Sequence, residues 1–111
     1  MTDSTLPLTP VVFHMLIALS AGTRHGYAIA QEVEAMTDGV VRLGPGTLYG
    51  SLQRLVDSGL IREAAAREEP PDGRGERRRY YEITAAGRRA LAADTARLAK
   101  AVRLARARMG G

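Results

Sequence analysis

Between Gly44 and Ile61 the chain reads GPGTLYGSLQRLVDSGLI. Few folds accommodate such a stretch. Leu48, Leu52 and Leu55 recur at helical spacing and form one apolar stripe. Pro45 stands where a first helical residue belongs, and Gly59 occupies the left-handed position that commonly ends a helix. Leu60 then opens a strand that continues to about Ala65. The helix is therefore short, apolar on one side only, and runs directly into a sheet.

The flanking segments extend this pattern in both directions. Residues 1–8 read as a flexible N-terminal arm. Thr9-Pro10 is a helix start, a capping hydroxyl followed by Pro, and the first helix runs to about Ser20. It is apolar nearly all round, which predicts burial on both sides. AGTRHG makes a turn, and a second helix covers about Tyr27 to Met36, with Tyr27, Ile29, Ala30 and Val33 available for its inner side. VVRL (Val40 to Leu43) is extended and is a candidate short strand. After the third helix and its strand, REEPPDGRGE (Arg67 to Glu76) is a hairpin loop and RRRYYEI (Arg77 to Ile83) its return strand. Thr84 caps a last helix from Ala85 to about Met109. The expected fold is mainly α with a small β-hairpin. Three helices followed by a hairpin make a winged helix-turn-helix, because the loop between helices two and three is longer than the tight turn of the simplest helix-turn-helix proteins. One long C-terminal helix is added to it.

At 111 residues the chain is the size of one domain. It contains no Cys, which excludes a disulfide framework and a thiolate zinc site and agrees with a cytoplasmic protein. VVFHMLIAL (Val11 to Leu19) is much shorter than a membrane span and no basic segment precedes it, so no membrane partner is expected.

The net charge of +4 conceals a split. Residues 1–73 carry five Arg against nine Asp or Glu, whereas residues 74–111 carry eleven Arg or Lys against three acids. Such a split suits a partner that is a polyanion, and equally an ordinary solvated helix face. The third helix separates these readings. With Leu48 on its inner side, Thr47, Gly50, Arg54 and Asp57 fall opposite, flanked by Tyr49, Ser51 and Gln53. Ordinary surface helices carry Glu and Lys there, and this one has no acid before Asp57. Hydroxyls, an amide and one Arg near a helix N-terminus suit phosphates and base edges. Gly50 costs roughly 1 kcal/mol against Ala in a helix interior, so its use there points to a close approach of the backbone to something else. Arg74, Arg77, Arg78 and Arg79 gather on the hairpin, where guanidinium groups match phosphate geometry. Glu68, Glu69, Asp72 and Glu76 share that loop, which favours Arg78 and Arg79 over its tip.

Three stretches, HGYAIAQEV, GTLYGSLQRLVDSGLI and RRRYYEITAAGRRAL, resemble in order and spacing the PadR family of bacterial transcriptional regulators. With the first helix, the resemblance spans about residues 8–91. It implies a winged-helix homodimer that binds double-stranded DNA at a palindromic operator, represses genes and releases the operator on meeting a small-molecule effector. By position, Thr47, Tyr49, Ser51 and Arg54 would contact DNA from the recognition helix, and Arg78 and Arg79 from the wing, beside Arg77. Gly50 stands where the family usually carries Pro. Residues 9–84 would form the DNA-binding domain and residues 85–109 the dimerisation helix, as in the subgroup with a single C-terminal helix. On that helix Leu91, Thr95, Leu98, Val102, Ala105 and Met109 alternate at spacings of four and three, a coiled-coil-like seam. Val12, Phe13 and Leu16 of the first helix are expected to cover the partner's seam. The alternative is a helix packed on its own domain.

Catalytic and metal chemistry finds no constellation in this sequence. His14 lies on the apolar first helix and His25 opens the second. Without Cys or a matching carboxylate spacing they do not make a zinc site, and no cofactor is implied. Glu32 and Glu34, two apart on a helix, face different ways and are a poor acid–base pair. A second function class remains: a winged-helix protein–protein interaction module, whose third helix and hairpin hold a partner protein. Exposed Leu or aromatic residues would mark it, whereas Thr47, Gly50, Arg54 and the arginines at 77–79 favour DNA.

Overall fold

The computed structural model describes residues 7–64 and 79–110. Its elements are α1 (Pro10–Ser20), β1 (Arg24–His25), α2 (Gly26–Met36), α3 (Pro45–Asp57), β2 (Ile61–Ala64), β3 (Tyr80–Ile83) and α4 (Ala85–Arg108). The hairpin loop, with Arg67 to Glu76, and the arm through Leu6 lie outside the described residues.

Local chemistry sets the helix starts. Thr9 Oγ1 accepts the Val12 N–H at 3.2 Å ahead of Pro10, and Thr84 Oγ1 accepts the Gly87 N–H at 3.0 Å. Each cap satisfies one backbone donor that the first turn leaves unpaired. Leu8, assigned by sequence to the arm, is instead buried in the core. Around α1 the core gathers Met15, Leu16 and Leu19 with Ile29 and Val33 of α2, Leu48, Leu52 and Leu55 of α3, Ile61 of β2, Tyr81 and Ile83 of β3, and Ala90 of α4.

The sheet has three antiparallel strands in the order β1-β3-β2. β3 is central, with Ile61 opposite Ile83 and Ala64 opposite Tyr80 on one side, and Arg24 opposite Tyr81 on the other. The sequence reading placed the outer strand wrongly. Arg24–His25, read as part of a turn, is the third strand, whereas Val40–Leu43 takes no strand structure. The reason lies at the end of α2. Asp38 and Gly39 both adopt left-handed backbone, with φ of 52° and 80°, and Gly39 N–H donates to Glu34 O at 2.8 Å. Val41 N–H donates to Thr37 Oγ1 at 3.0 Å. These bonds fold the segment back onto its own helix, away from the sheet edge.

Tyr27 is a second correction. The buried residues of α2 are Gly26, Ile29 and Val33, and Tyr27 lies about a quarter-turn off that stripe. It is 64% exposed.

Candidate nucleic-acid interface

α3 is preceded by Gly44 at the N-cap, whose backbone is extended and offers no side-chain cap, and its first turn holds no acid. Four residues, Leu48, Ser51, Leu52 and Leu55, form its buried arc. Ser51, expected on the flank with a contact to offer, is only 3% exposed and is withdrawn from the outer surface. On an α-helix Ser51 follows Leu48 by three residues and precedes Leu55 by four, so it shares their face. Thr47, Gln53, Arg54 and Asp57 are exposed, Tyr49 is 51% exposed and Gly50 is half-exposed. Nothing lies within 4 Å of where a Gly50 Cβ would stand, so that glycine is not required by packing within the chain. Gln53 donates to Asp57 Oδ1 at 2.9 Å, which ties the one acid of the outer arc to its own helix.

Beside this arc an open groove of about 870 Å³ runs between α2 and α3, lined among others by Tyr27, Gln31, Glu34, Arg42 and Tyr49. Sequence reasoning missed this surface because Tyr27 was counted as inward. The 3.6-residue period, applied from Ile29 and Val33 alone, would have found it.

From the hairpin, Arg79 is described and exposed, and its guanidinium stands 3.8 Å from the Glu63 carboxylate across the strand pair. Arg77 and Arg78 lie outside the described residues. Below Arg79, burial pushes the Tyr81 phenol above its ordinary pKa; the nearby Glu63 carboxylate adds to this, and Arg79 opposes it. Arg62 and Thr23 both donate to Glu82, and Arg24 donates to Glu32 at 2.7 Å. The bonds to Glu82 tie β3 to β2 and to the turn before β1, and the Arg24–Glu32 pair ties β1 to α2, so Arg24 and Arg62 already have carboxylate partners.

The C-terminal helix divides lengthwise. Gly87, Ala90 and Asp94 are buried against the chain's own domain, with Leu91 and Leu98 half-buried beside them. Thr95 and Ala105 are exposed, and Val102, Leu104 and Met109 are large apolar residues left in water. Of the expected first-helix surface, Val12 and Phe13 are half-buried, but Leu16 is fully enclosed by its own core and offers nothing to a second chain. Asp94 was not anticipated. It is 1% exposed, with Oδ1 accepting from Arg97 Nε at 2.7 Å and Oδ2 without a partner. Among the described residues no cluster of His, Asp and Glu could hold a metal ion, and no helix is long and apolar enough to cross a membrane.

Known proteins share this arrangement. Residues 15–93 match the transcriptional regulator PadR-like family. The chain is 37% identical over 101 residues to a transcriptional regulator of Mycobacterium tuberculosis, Rv3488, covering 91% of this chain and 84% of that one. It is 38% identical over 86 residues to an uncharacterised 37.1 kDa protein of transposon TN4556 from Streptomyces fradiae, covering 78% of this chain but only 22% of that protein's length. In structure it resembles a PadR-like transcriptional regulator of Bacillus cereus, with a TM-score of 0.75 over 98% of this chain and 99% of the other, at 19% identity. The winged-helix fold is thus shared where the sequences have diverged. With the family match covering most of the chain and the mycobacterial regulator matching nearly end to end, this chain belongs to the PadR-like family of transcriptional regulators.

Proposed function

We propose that the chain is a cytoplasmic, dimeric, sequence-specific DNA-binding repressor, released from its operator by a small-molecule effector. α3 enters the major groove, Arg79 with its neighbours Arg77 and Arg78 follows the adjacent phosphate backbone, and residues 85–109 join two copies. The observation that carries this reading is the outer arc of α3. Thr47, Tyr49, Gly50 and Arg54 face outward together, and the only acid beyond them, Asp57, is held by Gln53. Such an arc presents donors and a close backbone to a polyanion without repelling it. Two copies related by a two-fold axis address a palindrome with half-sites one helical turn apart.

Selection from a random duplex pool tests this. A palindromic sequence should be enriched, and affinity for it should fall steeply with salt, by about a thousandfold between roughly 50 and 200 mM if about six phosphates are engaged. A pool that returns no enriched sequence sinks the reading.

One observation favours the interaction-module reading: Tyr27 and Tyr49 are both exposed and line one groove, a feature of protein-binding surfaces. The same selection separates the two readings, because a protein-binding module enriches no duplex.

Within the DNA reading, Arg54→Ala and Arg79→Ala should differ in kind. Loss of a base contact at Arg54 should cost about 1–3 kcal/mol and relax preference at one position. Loss of Arg79 should weaken all duplexes alike. Titration of the operator and its single-base variants distinguishes these outcomes.

A further inference from the structure

The phenol of Tyr49 lies over the first residue of α2. A Cβ built on Gly26 would stand 3.1 Å from Tyr49 Cε1, 3.2 Å from its Oη and 3.3 Å from its Cζ. These are the far atoms of the ring, so it is the hydroxyl end that rests there. Gly26 is buried, yet its backbone is ordinary, since the positive-φ glycines are Gly22, Gly39, Gly59 and Gly110. No turn or left-handed backbone requires a glycine at this position. What a side chain there would crowd is the end of the Tyr49 phenol.

We propose that Gly26 is a positioning residue for the recognition helix: its missing side chain seats the Tyr49 hydroxyl against the start of α2 and so fixes where that hydroxyl meets DNA. The inference rests on the DNA-binding reading and goes beyond it, because Gly26 itself touches no base or phosphate. Tyr49 is half-exposed, with one part of its ring on Gly26 and the other in solvent. An unrestrained tyrosine on a helix surface exchanges among rotamers, and ordering it on binding costs side-chain entropy. A tyrosine already seated avoids that cost and presents its hydroxyl at one place. The seat also joins the two helices of the motif. The neighbouring N-cap residue, His25, holds the same turn through Nδ1, which accepts from Ala28 N–H at 3.2 Å, and its ring meets Tyr80 of β3 edge-on. Gly26 is therefore a fixed floor.

Gly26→Ala places a methyl group 3.1–3.3 Å from the end of the phenol, closer than ordinary contact, so the ring must shift off its seat. The ring is the end of a flexible side chain, so it can swing outward into water at little cost to the fold. Replacing Gly by Ala also favours a helix. Stability and binding therefore separate, which a merely structural role for Gly26 would not produce.

The test is a double-mutant cycle on the duplex selected by the wild-type chain, comparing wild type, Gly26→Ala, Tyr49→Ala and the double variant, with thermal unfolding of all four. Gly26→Ala is expected to weaken binding about tenfold in the wild-type background and less than about twofold in the Tyr49→Ala background, with unchanged or raised Tm. Equal losses in both backgrounds, or wild-type affinity for Gly26→Ala, overturn the positioning role while leaving DNA binding intact. A wild-type chain that selects no duplex overturns the DNA reading, and the role of Gly26 with it. A nuclear Overhauser contact between Gly26 Hα and the Tyr49 ring, read without DNA, is expected in the wild-type chain, and its absence refutes the seat itself.

Discussion

Gly87→Ala is expected to destabilise the protein by about 3 kcal/mol, lowering Tm by roughly 10–20 °C. A Cβ at Gly87 would fall 2.1 Å from the Leu60 carbonyl oxygen and 2.7 Å from Ile83 Cγ1. Neither can retreat. Leu60 O accepts the Thr84 N–H at 3.0 Å, and Thr84 Oγ1 donates to Gly59 O at 2.6 Å while capping α4. The end of α3, the start of β2, the end of β3 and the first turn of α4 thus meet at one point, and the bare Cα of Gly87 lets them. An added methyl must push α4 off the sheet or break these bonds. The gain in helix propensity, at most about 1 kcal/mol, does not offset that. Thermal or urea unfolding measures it; a variant as stable as wild type would show that α4 is not anchored through this contact. Gly50→Ala makes the control, since open space surrounds that position.

The second large effect concerns the exposed half of α4. Shortening the chain after Ala99 is expected to leave a folded monomer whose operator affinity is roughly a hundredfold or more lower, the loss that follows when two half-sites are no longer bound by one linked pair. The place of the cut follows from the packing. Ala90, Leu91 and Asp94 serve the chain's own domain, so a cut after Ala90 would damage the fold as well as the assembly. Beyond Ala99 every described residue is exposed, including Val102 at 48%, Leu104 and Met109. A lone helical segment of that length is marginal in water, and a second copy laid against it would bury these apolar residues. Arg103, Arg106 and Arg108 stand among them with no acid after Asp94, so two such helices in parallel as an isolated pair would bring like charges together. Contact with the partner's domain, around Val12 and Phe13 and not Leu16, is expected to relieve this. Sedimentation at micromolar concentration decides the matter: a shortened chain that remains a dimer places the interface elsewhere.

Much of this molecule was legible in its sequence because the signals are local. The stripe at Leu48, Leu52 and Leu55, the caps at Thr9 and Thr84, and the left-handed Gly59 depend on residues within one or two turns of each other. They specify α1, α3 and α4 nearly to the residue. The outer arc of α3 was legible for the same reason, since facing follows from helical period once the apolar stripe is known. Ser51 shows the limit of that rule. A small polar residue carries no hydropathic mark of its side, so Ser51 was set on the flank, although its spacing of three from Leu48 and four from Leu55 puts it on the buried face.

Tertiary structure decided whatever depends on residues distant in the chain. Arg24 and His25 are a strand only because β3, more than fifty residues later, supplies the hydrogen bonds; alone they are a turn. Asp94 reads as an ordinary surface acid of a polar helix until the fold encloses it beside Arg97. Gly26, counted in a turn by sequence, and Gly87, inside the last helix, both prove to be contact points, one beneath the Tyr49 phenol and one against the Leu60 carbonyl. A sequence records which side chain is missing at a glycine. What fills the space depends on how distant elements pack, which no local pattern contains.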